Sequence, residues 1–243
     1  MSKKLFIAAA FAALAFAQGA KAQTNLQTFY DFGKNRDHIT TTLEGFYNDK
    51  WGNTFFFIDY DYSDKNTAGK KFLPGGSYME IARCLNFWQN SKLAPLSLQV
   101  EYNGGVKFGN HNFLFGVDYF MHSADFKNTL NLKVLYKTFT KGIKSKLPVQ
   151  FTMVWGIQDI FGVEGLRFNG FADVWGEDVV NWAEGGDKAR HFVFISEPQL
   201  WYNIGRHFGV DNLHIGTEIE LSCNFAGYDG FFVRPCLGTK WVF

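Results

Sequence analysis

The stretch Phe231-Phe-Val-Arg-Pro-Cys-Leu-Gly-Thr-Lys-Trp-Val-Phe243 decides how the rest of the chain is read. Counting back by twos from the end gives Phe243, Trp241, Thr239, Leu237, Pro235, Val233 and Phe231. The other parity gives Val242, Lys240, Gly238, Cys236, Arg234 and Phe232. Successive side chains of a strand point to opposite faces. One face is therefore apolar and rimmed by aromatics, and the other carries two cations.

Eleven further segments carry the same alternation. They centre on residues 26–32, 39–48, 53–62, 78–88, 96–103, 112–122, 129–138, 149–158, 166–175, 191–203 and 213–225. In the fifth, Leu96, Leu98, Val100 and Tyr102 alternate with Ser97, Gln99, Glu101 and Asn103. In the seventh, Leu130, Leu132, Val134 and Tyr136 alternate with Thr129, Asn131, Lys133 and Lys137. Each is long enough for a tilted strand to cross a bilayer. An even count suits a single-chain bacterial barrel. A β-sandwich would alternate too, but the strand length, the aromatic content of 19% and the 28 Phe favour the barrel. The expected fold is all-β: a transmembrane antiparallel up-and-down β-barrel of about 12 strands. The aromatic carboxyl terminus on an alternating strand resembles the signal by which bacterial outer-membrane barrels are recognised for insertion.

The amino terminus sets the compartment. A cationic start, Met1-Ser-Lys-Lys, precedes 13 apolar residues from Leu5 to Ala17, and Ala20-Lys21-Ala22 has the small-x-small form of a cleavage site. Residues 1–22 read as a cleaved signal peptide and 23–243 as the barrel. Without Lys3, Lys4 and Lys21 the 24 basic side chains fall to 21 against 23 acidic, a formal charge of −2. No basic patch points to nucleic acid. Cys84, Cys223 and Cys236 are an odd set. The last two fall on opposite parities, so a bridge between them is not expected, and all three read as small buried structural residues.

Connections should alternate between short periplasmic turns and longer outer loops. The long outer loops are expected at 63–76 and 176–190, and short periplasmic turns at 49–52 and 123–125.

If the apolar parity faces lipid, the other lines the lumen. The inward acids are Asp31, Glu44, Asp59, Asp61, Glu80, Glu101, Asp118, Asp173, Glu197, Glu218 and Glu220. The inward bases are Lys133, Lys137, Arg167, Arg234 and Lys240, which leaves a net inward charge of −6. Arg83 falls on the lipid-facing parity, where only a bulge or a snorkelling position suits it. A negative wall favours neutral or cationic solutes. The third segment puts Phe55, Phe57, Asp59 and Asp61 on one face, and the first puts Phe29 beside Asp31. A ring next to a carboxylate suits a flat, hydroxylated solute: the ring stacks and the carboxylate accepts hydrogen bonds. The candidate solute-binding residues are therefore Phe29, Asp31, Phe55, Phe57, Asp59, Asp61, Glu218, Glu220 and Arg234. The same charges could instead pair across a plugged lumen and hold a closed barrel rigid.

The start Asn25-Leu-Gln-Thr-Phe-Tyr-Asp-Phe-Gly33, the stretch Trp51-Gly-Asn-Thr-Phe-Phe-Phe-Ile-Asp-Tyr60 and the ending Lys240-Trp-Val-Phe243 resemble Tsx-type nucleoside-specific channel-forming outer-membrane proteins. They look closer still to an uncharacterised outer-membrane family related to these. The resemblance implies a narrow twelve-stranded barrel in the outer membrane of a Gram-negative bacterium, passing nucleosides by facilitated diffusion. Trp51, Gly52, Phe55, Phe56, Phe57 and Asp59 carry the mapped motif. The expected partners are outer-membrane lipid, the barrel-assembly machinery and a nucleoside-like solute; no cofactor, metal or nucleic acid is expected.

An outer-membrane lipid-modifying enzyme would need a His-Ser pair oriented by an acid. His122-Ser123 is the one adjacent pair, at a predicted turn and without a surrounding motif. The chain reads as a non-enzyme.

Overall fold

The computed structural model describes residues 22–34, 36–62, 74–106, 111–139, 143–180 and 189–243. The strands are β1 (Ala22–Asp31), β2 (His38–Asp49), β3 (Gly52–Tyr62), β4 (Pro74–Leu85), β5 (Leu96–Val106), β6 (His111–His122), β7 (Asn128–Lys137), β8 (Val149–Gln158), β9 (Leu166–Val180), β10 (Ala189–Ser196), β11 (Gln199–Tyr202), β12 (Leu213–Cys223) and β13 (Phe231–Val242). From β1 to β9 each strand pairs antiparallel with the next. β13 returns to β1, from Asn25 opposite Val242 to Asp31 opposite Cys236. The sheet therefore closes, as a lipid-embedded sheet must, because an open edge would leave backbone groups unpaired in hydrocarbon.

β10 and β11 both lie between β9 and β12. They are two halves of one stave, so the thirteen segments make a twelve-staved barrel. The break falls at Glu197 and Pro198. Proline has no N–H to give a ladder. Pairing is carried past it by Glu197 N–H donating to the Phe171 carbonyl (3.1 Å) and by the Pro198 carbonyl accepting from Ile219 N–H (3.1 Å).

Burial is inverted relative to a water-soluble domain. Leu98, Val100, Phe113, Phe115, Leu132 and Val134 are exposed on the outer wall. Gln27, Gln99, Ser222 and Arg234 are almost wholly buried on the inner one. No described helix is long and apolar enough to cross a membrane; the crossing is made by strands. Leu132 sits mid-strand on β7 at 45% exposure. Leu132→Arg should destabilise the barrel by about 2–4 kcal/mol, read from denaturant unfolding in lipid vesicles; a change below about 0.5 kcal/mol would contradict a lipid-facing outer wall.

The start of β1 and the end of β13 lie at one end, called here the terminal end, with the turns 50–51, 86–95, 123–127, 159–165 and 203–212. Residues 32–34, 36–37, 138–139, 143–148 and 224–230 lie at the distal end. Turns at the terminal end are tied by their own polar groups. Ser123 Oγ donates to Asp125 (2.5 Å) and accepts from Asn128 N–H (3.0 Å). Lys127 bridges to Asp159 in the next turn (2.7 Å), and Asp159 also accepts Gly165 N–H (2.9 Å). The Lys127 ammonium, aided by that N–H, holds the Asp159 carboxyl below the usual carboxylate range.

Several expected boundaries move. β9 runs on to Val180 and β4 starts at Pro74, so the outer loops expected at 176–190 and 63–76 are shorter. Ser145 Oγ donates to the Gly176 carbonyl (2.6 Å) and Asp178 N–H to the Lys144 carbonyl (2.7 Å), which extends the β9 edge. Residues 63–73 and 181–188, with Trp182, lie outside the described residues, as does most of the signal segment. Arg83 is indeed on the outer wall. It reaches the terminal rim, where it meets Asp49 (2.9 Å) and Thr54 Oγ1 (3.1 Å), a snorkelling position. All three cysteines are free; Cys84 and Cys236 are buried, but Cys223 is only half-buried on the outer parity.

Candidate functional site

The lumen is the candidate site. Strand register places all nine nominated residues on the inner parity: Phe29 and Asp31 on β1, Phe55, Phe57, Asp59 and Asp61 on β3, Glu218 and Glu220 on β12, and Arg234 on β13. They do not form one cluster.

Asp31, Glu220 and Arg234 are drawn into a lock at the distal end. Arg36, from the connection between β1 and β2, lies 3.2 Å from Asp31 and 2.7 Å from Glu220. Arg234 binds the other Glu220 oxygen and is 0% exposed, with its guanidinium 4.8 Å from the Tyr228 ring centre and 4.6 Å from that of Phe232. Ser222 Oγ also donates to Glu220 (2.6 Å). Both Glu220 oxygens are engaged and Arg234 is sealed. This group holds the wall together more than it presents charge to a solute. Arg36 was not nominated, and no strand pattern could find it, since it reaches the wall from a loop.

The β3 residues form a different surface. Phe55 and Phe57 ring centres are 6.1 Å apart, and Phe57 is 6.0 Å from Tyr78 on β4. Three rings thus step along the half-exposed wall. Beside them Thr42 donates to Asp59 (2.6 Å), Thr40 to Asp61 (2.7 Å) and Tyr78 to Glu80 (2.6 Å). Gln199 donates to Glu218 (2.5 Å), Asn25 to Glu44 (2.8 Å) and Gln99 to Glu101 (2.7 Å). These donors are all neutral, and they orient the carboxyl groups. Glu197, at the break in the stave, is within electrostatic reach of Glu218, Glu220 and Asp59. Acids of opposite walls therefore share one field. Tyr78 carries inward parity on β4 and was legible as such in the sequence.

Two bulky rings narrow the lumen. Trp201 on β11 is 1% exposed and lies 5.5 Å from Phe29. Phe29 lies down over Gly238, and Trp201 over Gly216: a Cβ there would stand 2.7 Å from the Phe29 ring and 2.5 Å from that of Trp201. Glycine at both positions lets the rings rest flat on the neighbouring strands. Phe29 is thus a packed ring of the wall, unlike Phe55 and Phe57. Trp201 was not nominated, although its parity with Gln199 was available.

The hydrolase pair is not assembled. His122 Nδ1 is bonded to the Ser123 carbonyl oxygen (2.8 Å), its ring stacks on Phe126 at 3.9 Å, and Ser123 Oγ is turned to Asp125. A nucleophilic hydroxyl needs the imidazole at its own oxygen.

A single family model, described as "Domain of unknown function (DUF5020)", matches residues 22–243. The chain belongs to the DUF5020 family. No curated protein matches it. Among solved structures, the DUF5020 barrel is similar to the KdgM porin (TM-score 0.50, 9% identity, 91% of this chain and 99% of that one). It is also similar to the NanC porin (TM-score 0.53, 8% identity, 90% and 98%). A third is the Salmonella typhi outer membrane phospholipase dimer with bound calcium (TM-score 0.52, 12% identity, 90% of each). At such identities the likeness shows the outer-membrane barrel fold alone.

Proposed function

We propose that this DUF5020 barrel sits in the outer membrane of a Gram-negative bacterium and passes small solutes by diffusion, nucleosides foremost. The observation that carries the reading is the ladder of Phe55, Phe57 and Tyr78 flanked by Asp59 and Glu80. A purine or pyrimidine stacks on such rings irrespective of sequence, at about 1–3 kcal/mol per base. Carboxylates held by neutral donors keep acceptor capacity for ribose hydroxyls and exocyclic amines. The net negative wall repels anions. The sequence resemblance to Tsx-type channels supports the same solute class.

The test is conductance of the purified protein in planar bilayers. Small, cation-preferring conductance that adenosine blocks is expected. Phe57→Ala and Asp59→Asn should each weaken the block roughly tenfold, as loss of one stacking or charge-assisted contact implies. Block unchanged in both variants would remove the site assignment, and absence of any conductance would remove the channel.

One observation favours a second reading, a closed structural barrel. Leu114 and Leu135 are 0% exposed although both point inward, so part of the lumen is filled by side chains. Such a barrel would neither conduct nor respond to adenosine. For a lipid-modifying enzyme, phospholipid left intact after incubation with the pure protein decides against it.

A further inference from the structure

At the terminal end basic side chains join the lining. Arg167 stands second on β9, His214 second on β12, and Lys240 close to the end of β13. Register sets Arg167 opposite Trp201 and His214 opposite Lys240. The two cations and the imidazole come from three different staves and lie within electrostatic reach of one another. Lys240 Nζ sits 4.2 Å from the Trp201 ring centre. The Arg167 guanidinium rests over Gly156, 3.6 Å from where a Cβ would stand.

The carboxylates nearest the trio are Glu44, which faces Arg167 and Lys240, and Glu218, which faces Lys240. Neither is closed on a cation. Glu44 accepts from Asn25 (2.8 Å) and Glu218 from Gln199 (2.5 Å). Meanwhile Arg167 Nε, His214 Nε2 and Asn169 Oδ1 are buried without a hydrogen-bond partner. Asn169 is fixed by its other end, which donates to Gln199 (3.1 Å). A buried, unpartnered polar atom is costly and uncommon, and several in one neighbourhood mark a place where a partner belongs. The distal lock differs in that Arg36 and Arg234 both meet Glu220; there a single guanidinium nitrogen, Arg234 Nη2, is buried without a partner.

A guanidinium fork, an ammonium and an imidazole on converging staves match an anion with several oxygens. Unfilled acceptor capacity at Asn169 suits an oxyanion that also carries a hydroxyl, as hydrogen phosphate does. We propose that Arg167, His214 and Lys240 form an oxyanion subsite at the terminal end of the lumen, taking the phosphate or carboxylate group of a solute. This goes beyond a nucleoside channel, since nucleosides carry no such group. Occupancy needs access from one end only, so it does not depend on passage through the barrel.

The experiment uses the whole barrel in non-ionic detergent micelles. Inorganic phosphate is followed by the width of its phosphorus resonance, and acetate by that of its carbon resonance. Broadening that saturates with phosphate, with acetate or with both is expected, and which anion binds tells the phosphate source from the carboxylate source. Arg167→Gln and, separately, Lys240→Gln should weaken binding roughly tenfold, the loss expected for one charge-assisted contact. Arg83→Gln, on the outer rim, should leave it unchanged. Heat-dependent gel mobility reports whether each variant is folded, and the two lumen variants guard against either one failing to fold. No broadening by either anion would overturn the subsite. So would Arg167→Gln or Lys240→Gln binding as tightly as the parent, or Arg83→Gln losing as much, which would mean an adventitious ion only. Conductance of the same preparation keeps the two ideas apart. A barrel that conducts but binds no oxyanion overturns the subsite and leaves the channel; one that binds but does not conduct does the reverse.

Discussion

Glu220→Ala should cost the barrel about 3–5 kcal/mol, the usual effect of removing one partner of a buried ion pair. The change strips the shared acceptor from Arg36 and Arg234 at once. Arg234 is 0% exposed and cannot turn to water, so its charge would remain buried and uncompensated. Glu220→Gln should lose less, since an amide oxygen still accepts from one guanidinium. Removing both charges, as Glu220→Leu with Arg234→Met, should recover much of the loss, because the desolvation of both ions disappears with them. Urea unfolding of the refolded barrel, followed by tryptophan fluorescence, measures all three. A loss under about 1 kcal/mol for Glu220→Ala would mean that water or other groups replace the lock.

Trp201→Ala should carry two large effects. The indole is 1% exposed, and its removal leaves a cavity beside Phe29, worth about 3–5 kcal/mol for a buried tryptophan. It also removes the surface on which Lys240 rests and the donor to Gln199 Oε1 (2.7 Å). The narrowed part of the lumen opens, so ion conductance should rise. Unfolding in denaturant and single-channel recording separate the two effects. Lower stability with unchanged conductance would place the constriction elsewhere; no change in either would contradict the packing of the ring.

Much of the architecture is legible in the sequence because a lipid-facing strand has little freedom. Each stave must show apolar side chains at alternate positions, and a one-residue slip would put its charges into hydrocarbon. Parity alone therefore places Phe55, Phe57, Asp59 and Asp61 on the inner wall, where register puts them. The stave carrying His191 and Tyr202 reads as continuous, but Pro198 divides it into β10 and β11. Its proline was a visible signal, and Glu197 keeps the inward parity of Ile195 and Gln199 across the break.

Side-chain pairing across the lumen is the less legible part. Arg36 and Glu220 are far apart in the chain, and alternation says nothing about what a loop arginine will reach. Nor does parity separate Asp31, spent in the lock, from Asp59, held by a threonine. That distinction depends on which charge stands opposite, a property of the closed barrel and not of any one strand. The loop ends are misplaced for a similar reason: Gly176 to Val180 lack a lipid-facing pattern, yet hairpin pairing carries β9 through them.

The flat seating of Phe29 on Gly238 binds ring and glycine into one unit of inheritance. A side chain at 238 cannot be acquired first, because it would strike the phenyl ring at 2.7 Å. Loss of the ring at 29 must come before it or with it. Among descendants of this chain the two positions should change as a pair, whereas 216, under Trp201, should stay glycine even without the indole, because a Cβ there would also stand 2.3 Å from the Leu200 carbonyl oxygen. Drift in pore width would then proceed in jumps the size of an aromatic ring, not in single methyl groups.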